Sequence, residues 1–311
     1  MNILVTGGAG YIGSILVPIL LKNNHNVTVL DNFLFNQKSL ENIKKNPNLE
    51  IIRADVRNEK IIKNLISKFD LIVPLAALVG APLCEKNPKD AKEVNLNSIL
   101  FLNSILSKSQ KVIMPVTNSG YGIGKSGEFC TEESPLNPIS LYGQTKVKSE
   151  AIMMERENSV SFRLATVFGM SPRMRIDLLV NHFVSKALTD KKIKIFEGHF
   201  KRNYVHIKDV ANVFLFTINN FEMMKGNIYN FGLEDANFSK IELAEKIKSY
   251  IHDFQIETSE NGSDPDKRDY IVSNKKILST GYKFIESLDT GINELIKELP
   301  RLPNDESYSN I

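Results

Sequence analysis

Three side chains of this sequence could together help an alcohol to lose a proton and a hydride: Thr117, Tyr142 and Lys146. Tyr142 and Lys146 are four positions apart, so on a helix they would share a face. A phenol, with an ordinary pKa of about 10, is a poor base near neutral pH, but an ammonium beside it in a cleft of low dielectric favours the phenolate. Thr117 ends a predicted strand and could hydrogen-bond the alcohol oxygen as it becomes a carbonyl. We predict that these three residues are catalytic.

A binding site for a hydride-carrying cofactor is indicated by the glycines near the amino terminus. The apolar run 3–5 reads as a buried strand and 14–21 as a helix, with Gly7, Gly10 and Gly13 between them. Glycines at these positions allow a tight turn, a close approach to a pyrophosphate and close packing of the helix on the strand, and the helix amino terminus attracts the anion. A strand that ends in a flexible turn would show the same glycines, so the glycines alone do not decide between the two.

A carboxylate at the end of the next strand supports the dinucleotide site. The short strand 27–30 ends in Asp31, eighteen residues after Gly13, close to where such folds need an acceptor for the adenosine ribose. No lysine or arginine follows Asp31 until Lys38, and a carboxylate would repel a 2′-phosphate. The sequence therefore predicts NAD rather than NADP.

Composition excludes several other classes of protein. The chain has 311 residues, 42% hydrophobic and 24% charged, which is typical of a globular protein with one large or two ordinary domains. The most apolar stretch, 71–83, is too short for a membrane span and contains Pro74 and Pro82. The amino terminus lacks the basic start of a signal peptide, so we expect a cytoplasmic protein. A net charge of +3 and scattered lysines argue against nucleic acid binding.

The cysteines and histidines do not suggest a metal site. Cys84 and Cys130 form no spacing motif, and we interpret them as reduced thiols. The five histidines show no HxxxH pattern. We predict no metal.

Strands and helices alternate from residue 3 to residue 164, which predicts a doubly wound parallel sheet, that is, a Rossmann fold of the α/β class. A smaller α+β substrate-binding domain is expected after the alternation breaks near residue 166. We assign 1–168 and 204–232 to the NAD-binding Rossmann domain, 169–203 and 233–302 to the substrate-binding domain, and 303–311 to a disordered tail. The predicted helices include 39–46, 90–108, 141–157, 178–188 and 210–218.

Several motifs occur together along the chain: Gly7-x-x-Gly10-x-x-Gly13, Asp55-Val56, Ala76-Ala77, Thr117 to Tyr121, Tyr142 with Lys146, Arg163-Leu164 before Phe168-Gly169, and Arg202-Asn203-Tyr204-Val205. Through these motifs the chain resembles, over nearly its full length, the extended short-chain dehydrogenase/reductases that act on nucleotide sugars and so bind a nucleotide sugar in their substrate domain. The resemblance implies NAD as cofactor, a Thr/Tyr/Lys triad and a homodimer formed through two helices per subunit, here 90–108 and 141–157.

The same resemblance implies a role for each matching residue, although two positions depart from the family. Thr166 stands where Asn is usual, and Asn203 where Asp is usual. A structural ion pair remains an alternative for the two arginines expected at the pyrophosphate, Arg202 and Arg268. The implied cofactor contacts are Gly7, Gly10, Tyr11, Ile12, Gly13, Asp31, Asn32, Asp55, Val56, Leu75, Ala76, Ala77, Tyr142 and Lys146, and the implied substrate contacts are Val79, Asn118, Ser119, Thr166, Arg175, Asn181, Arg202 and Arg268.

Within the family, the phrases at 74–82, 117–124 and 173–181 are similar to those of bacterial GDP-manno-heptose 4-dehydrogenases of capsule biosynthesis. This similarity implies NAD-dependent oxidation of the C4 hydroxyl of GDP-D-glycero-D-manno-heptose to the 4-keto sugar, with NADH reoxidised by a small keto acid. A nucleotide-sugar C4-epimerase, which shares the first step, and a non-catalytic dinucleotide-sensing protein remain alternatives.

The residues after Thr117 predict that water is not eliminated. The family's 4,6-dehydratases carry an Asp-Glu pair there as acid and base, whereas this chain has Asn118 and Ser119. An amide and an unassisted hydroxyl do not titrate usefully near neutral pH.

Overall fold

The structure is a computed structural model that describes residues 1–259, 268–303 and 308–310. Its strands are β1 (Asn2–Thr6), β2 (Asn26–Asp31), β3 (Leu49–Arg53), β4 (Leu71–Pro74), β5 (Lys111–Thr117), β6 (Phe129–Cys130), β7 (Ser159–Leu164), β8 (Thr166–Phe168), β9 (Lys192–Phe196), β10 (Lys201–His206), β11 (Asn227–Phe231), β12 (Asn237–Ser239), β13 (Gln255–Ser259) and β14 (Ile271–Val272). Its α-helices are α1 (Gly13–Lys22), α2 (Glu59–Leu65), α3 (Ala81–Lys86), α4 (Pro88–Lys92), α5 (Ser98–Ile105), α6 (Leu141–Met153), α7 (Leu179–Thr189), α8 (Ile207–Asn219), α9 (Phe221–Met224), α10 (Lys240–Lys248), α11 (Lys275–Ser279) and α12 (Leu288–Glu298).

A seven-stranded sheet in the order β11-β7-β5-β4-β1-β2-β3 forms the centre of the molecule. All its pairings are parallel, and β4 and β7 are buried along their whole length, as parallel strands covered by helices on both faces require. The predicted doubly wound Rossmann fold is confirmed.

The strand order opens a crevice at one edge of this sheet. β1 lies between β2 and β4, with Val5 opposite both Val29 and Val73. The chain moves outward from β1 to β3 and then returns to place β4 on the other side of β1. In open α/β sheets, ligands bind at this reversal, beyond the carboxyl ends of the strands.

A second apolar core lies beside the sheet. Helices α7, α10 and α12 pack there with the small sheets β12-β10-β8 and β13-β9. Ile12 and Ile15, at the start of α1, pack against both this core and the core of the large sheet. The two cores of the fold therefore meet at the end of the glycine-rich loop, residues 7–13.

Two predicted helices differ from what the structure shows. The helix predicted at 39–46 is wrong. The chain forms a series of turns there, and Leu40 is the only buried residue between 39 and 46, with Gln37 also buried just before them. One buried leucine gives a short helix too little apolar surface to hold it. The helix predicted at 90–108 runs instead from α4 to α5, with a π-helical segment, Glu93–Asn97, between them.

Within the predicted tail, residues 308–310 contact the rest of the chain, while 304–307 and 311 lie outside the described residues. The backbone N–H of Ile176 donates to the Tyr308 carbonyl at 2.8 Å, and the Tyr308 side chain packs against the second core. The N–H of Asn310 donates to Asp177 Oδ1 at 3.3 Å. Residues 308–310 therefore lie against the loop that precedes α7.

Three further observations concern classes of site. No helix in the described part of the chain is long and apolar enough to cross a membrane. Among the described residues, no group of three or more His, Cys, Asp and Glu side chains has the geometry to hold a metal. Cys84 and Cys130 are free, buried thiols.

Candidate active site

A cavity of about 570 Å³ occupies the crevice at the carboxyl ends of the strands. It brings together residues that are far apart in sequence, from the glycine-rich loop to Arg268. Of the predicted site residues, it is lined by Gly7, Gly10, Tyr11, Ile12, Gly13, Asp31, Asn32, Asp55, Val56, Leu75, Ala76, Ala77, Val79, Thr117, Ser119, Tyr142, Lys146, Thr166, Arg175 and Arg268.

The glycine-rich loop is shaped by close backbone approaches that no side chain would allow. Gly7 has a φ of +69°, and a Cβ there would lie 2.6 Å from the backbone nitrogen of Ala76. A Cβ on Gly13 would lie 2.5 Å from the carbonyl oxygen of Gly8. The loop therefore packs tightly on the end of β4, and α1 begins at Gly13 with its N-terminal N–H groups at the cavity. This cradle fits the pyrophosphate of a dinucleotide.

Asp31 connects the glycine-rich loop to the loop after β2. Its Oδ2 accepts from the Ala9 N–H at 3.0 Å and its Oδ1 from the Phe33 N–H at 2.7 Å. Burial raises the pKa of Asp31, while these backbone hydrogen bonds oppose the rise. The carboxylate lines the cavity where a dinucleotide fold binds the adenosine ribose.

Asp55 extends the same end of the cavity. The Asn32 amide donates to Asp55 Oδ2 at 3.1 Å, and Arg57 holds the pKa of Asp55 at about 2 through hydrogen bonds and charge. Asp55 is therefore ionised near neutral pH. Its hydrogen bond from Asn32 holds the two polar side chains together where they line the cavity.

Helix α6 presents Tyr142 and Lys146 to the cavity. It begins at Leu141 because the Ser140 hydroxyl accepts from the Gly143 N–H at 3.2 Å and so caps the first turn. Tyr142 and Lys146 both line the cavity, as the shared helix face predicted. Burial lowers the pKa of Lys146 to about 8, although the negative charge of Glu150, one turn further on, opposes this shift.

The end of β5 places Thr117 beside a serine and an arginine. Thr117 Oγ1 and Ser119 Oγ are hydrogen-bonded at 2.8 Å, and Arg268 Nη1 donates to the Ser119 hydroxyl. Asn118, between them in sequence, is buried, and its side-chain amide has no hydrogen-bond partner within the described ranges. Neither position after Thr117 carries a group that titrates near neutral pH.

Three predicted substrate residues do not line the cavity: Asn118, Asn181 and Arg202. The Asn181 amide donates to the Tyr11 hydroxyl at 3.1 Å, and its oxygen accepts from the Gly169 N–H at 3.0 Å. Arg202 is buried, with its guanidinium carbon 6.0 Å from the ring centroid of Tyr270, which does line the cavity.

The cavity residues that the sequence analysis missed include Phe35, Arg173, Tyr270 and Asn310. Phe35 lies in the loop after β2, four positions after Asp31. Its closeness in sequence to a predicted cofactor residue could have indicated that it lines the same cavity. Arg173 stands two residues before Arg175 in a phrase already noted for its resemblance. For Tyr270 and Asn310 the local sequence offers no such signal.

Comparison with known proteins agrees with this geometry. Residues 3–232 match the family described as the NAD dependent epimerase/dehydratase family. UDP-glucuronic acid decarboxylase 6 of Arabidopsis thaliana is 30% identical over 295 residues, which cover 89% of this chain and 82% of the relative.

Solved structures resemble the chain over nearly its whole length. UDP-glucose 4-epimerase from Thermotoga maritima, solved with UDP-glucose, superposes with a TM-score of 0.82 and 26% identity, covering 97% of this chain and 99% of that one. UDP-glucuronic acid 4-epimerase from Bacillus cereus, solved with UDP-glucuronic acid and NAD, has a TM-score of 0.85 at 24% identity, covering 97% and 99%.

Proposed function

Because the chain belongs to the NAD-dependent epimerase/dehydratase family, we propose that it oxidises the C4 hydroxyl of a nucleotide sugar and releases the 4-keto sugar. The observation that carries the proposal is the composition of the cavity wall. Thr117, Tyr142 and Lys146 line the same cavity as the glycine-rich loop and Asp31. The two positions after Thr117, Asn118 and Ser119, carry only an amide and a hydroxyl.

Each of the three catalytic residues has a defined task in this reaction. NAD, held by the glycine-rich loop and Asp31, would supply the acceptor for the hydride that leaves the substrate carbon. Tyr142 takes the proton of the hydroxyl as its base. Lys146, as a buried cation on the same helix face, stabilises the phenolate form of Tyr142, which is the form that can accept this proton. Thr117 hydrogen-bonds the oxygen as it becomes a carbonyl, which keeps it in place for the transfer.

The missing acid and base are the reason to expect oxidation without loss of water. Elimination across C5 and C6 needs one group to protonate the leaving hydroxyl and another to remove the C5 proton. Asn118 cannot titrate usefully, and the Ser119 hydroxyl is engaged by Thr117 and Arg268. Each missing group would forfeit about 10²–10⁴ in rate.

For the substrate we propose GDP-D-glycero-D-manno-heptose, in a pathway that makes capsular polysaccharide. Support comes from the resemblance of 74–82, 117–124 and 173–181 to the GDP-manno-heptose 4-dehydrogenases. Arg268 lines the cavity and offers positive charge to a nucleotide pyrophosphate, and Arg175 lines it as well, although its guanidinium is paired with Asp177. A small keto acid would then reoxidise the NADH.

C4 epimerisation is the second candidate, favoured by the likeness to the 26% identical UDP-glucose 4-epimerase. It differs only after the first step, when the ketosugar turns over and the hydride returns to its other face. A non-catalytic dinucleotide sensor is disfavoured, because it would have no need for Thr117, Tyr142 and Lys146 around one cavity.

Product analysis separates these functions. The enzyme is incubated with NAD and a panel of GDP- and UDP-sugars, with and without a keto acid, and the nucleotide-sugar product is analysed by mass spectrometry and NMR. Loss of two hydrogens supports the dehydrogenase, and unchanged mass with inverted C4 supports the epimerase. A product lighter by one water would refute our interpretation of Asn118 and Ser119. No turnover of any sugar would favour the sensor.

A further inference from the structure

An aromatic ring, an arginine and an asparagine from three distant parts of the chain form one wall of the cavity next to Asp31. The guanidinium carbon of Arg173 lies 4.4 Å from the ring centroid of Phe35. Arg173 also donates from Nη2 to Asn310 Oδ1 at 2.6 Å. All three side chains line the cavity, and we refer to Phe35, Arg173 and Asn310 as the adenosine wall.

The position of this wall along the cavity follows from Asp31. Phe35 is four residues after Asp31, and the positive charge of Arg173 is close enough to oppose the rise that burial causes in the pKa of Asp31. Because the ribose carboxylate of a dinucleotide fold marks the adenosine half of the cofactor, the wall flanks that half. The catalytic residues Thr117, Tyr142 and Lys146 belong to the nicotinamide end.

The arginine of the wall is held rigidly. Arg173 is only 2% exposed, and its Nη1 donates to the Met174 carbonyl at 2.6 Å. Asn310 is anchored in turn, because its N–H donates to Asp177 and the neighbouring Tyr308 carbonyl accepts from the Ile176 N–H. A guanidinium fixed in this way costs little further entropy when a ligand meets it.

We propose that the adenosine wall binds the adenosine half of NAD, so that residues 308–310 at the carboxyl terminus are part of the cofactor site. Arg173 supplies a planar cationic surface, which suits the flat base or the phosphate next to its ribose. Phe35 supplies an aromatic surface, which suits the base. Asn310 holds the arginine in this orientation and closes the cavity beside it.

The test measures NAD affinity and NAD release in the full-length protein stripped of cofactor. Arg173→Met and Asn310→Ala should each weaken NAD binding and speed its release by about tenfold, since each removes one fixed contact or its support. Isothermal titration gives the affinity, and displacement of NADH followed by its fluorescence gives the release rate. The same titrations with nicotinamide mononucleotide, which lacks adenosine, should show no difference from the wild type.

Arg53→Met is the matched control. Arg53 also stacks on a phenylalanine, Phe33, at 5.6 Å, but it does not line the cavity, so NAD binding should be unchanged. The cofactor-free melting temperature is recorded for every variant. Unchanged NAD binding in Asn310→Ala would overturn the assignment of the carboxyl terminus to the site. A loss of nicotinamide mononucleotide binding equal to the loss of NAD binding would overturn the assignment to adenosine.

Discussion

Lys146 is a lysine whose charge is kept away from water, with only 5% of its surface exposed. Such a cation interacts more strongly with a nearby phenolate than an exposed lysine would, because the local dielectric is low. The same burial makes the charge costly to the folded protein. The buried charge of Lys146 should therefore favour catalysis while it lowers the stability of the folded protein, and both effects can be measured.

Replacing Tyr142 by Phe should abolish hydride transfer while the fold and ligand binding persist. The phenol is the proposed base, and its loss should lower kcat by about 10²–10⁴. Rapid-mixing measurements of NADH formation give the rate, and titration gives the affinity for NAD and sugar. Full activity in Tyr142→Phe would refute the mechanism.

Replacing Lys146 by Met should stabilise the cofactor-free protein at pH 7, by at most about 3 kcal/mol, because a buried charge is removed. The pKa of Lys146 in the folded state, about 8, is below that of a lysine in an unfolded chain, about 10.4. Between these values the unfolded wild type binds more protons, so its free energy of unfolding rises with pH and the advantage of the variant shrinks.

Urea unfolding of both proteins from pH 7 to 10 tests this prediction. Lys148→Met, on the same helix but less buried, is the control and should show no such trend. A difference between wild type and Lys146→Met that is independent of pH would show that the charge of Lys146 is not the cause.

Asp31→Ala should weaken NAD binding by about 10–100-fold, the loss expected for charged hydrogen bonds to the ribose, and weaken NADP far less. Part of the loss will come from the Ala9 and Phe33 N–H groups, which Asp31 also accepts from. Affinities for both cofactors give the answer. Equal losses for NAD and NADP would contradict a role of Asp31 in choosing between them.

At the scale of elements, the sequence predicted what depends on local periodicity. The Tyr142–Lys146 face of α6 and the turn at Gly7 follow from spacing and from glycine's freedom at positive φ. The π-helical segment at 93–97 could not be predicted, because it follows from tertiary hydrogen bonds made by Asn95. The contact between Arg173 and Asn310 joins residues 137 apart, which no local pattern encodes.

The π-helical segment between α4 and α5 holds the loop after β4 in place. Asn95 Oδ1 accepts from the Leu78 N–H at 2.8 Å, and its amide donates to the Leu78 carbonyl at 2.9 Å. The Ser149 hydroxyl of α6 donates to the Asn95 carbonyl. Because Leu78 lines the cavity, this irregular segment connects α6 to the cavity wall at Leu78, and irregular helix turns are common at such places.

Asn95→Leu should lower the free energy of unfolding by about 1–3 kcal/mol, since it leaves the part-buried N–H of Leu78 without its partner and leaves the Leu78 carbonyl with only the weak thiol donor of Cys84. We also expect weaker NAD binding, because the loop at Leu78 would shift. Denaturant unfolding and titration measure the two effects. Ser104→Ala, on the exposed side of α5, should be neutral, and an equally stable Asn95→Leu variant would contradict this account.

At the scale of the whole molecule, we expect a homodimer through the helices at 88–105 and 141–153. Leu100 of α5 is 44% exposed, which fits a side chain covered by a second subunit. Leu100→Arg should raise the dimer dissociation constant at least about 100-fold, because a charge would be buried without a partner. Light scattering after size exclusion gives the mass.

The control for the dimer is Leu278→Arg on α11, where the leucine is comparably exposed but lies away from both helices. This variant should keep the mass of the wild type. A wild-type protein that is monomeric at micromolar concentration would sink the prediction.

The hydrogen bond from the Tyr11 hydroxyl to the Gly169 carbonyl, 2.7 Å long, joins the glycine-rich loop to a residue made 158 positions later. Ser14 and Ser171 are likewise paired at 2.8 Å. At about 5–20 residues per second of synthesis, the ribosome produces these supports roughly 10–30 s after the loop itself. The nascent amino-terminal part therefore leaves the exit tunnel with a glycine-rich loop that lacks both of these supports until Gly169 and Ser171 have followed it.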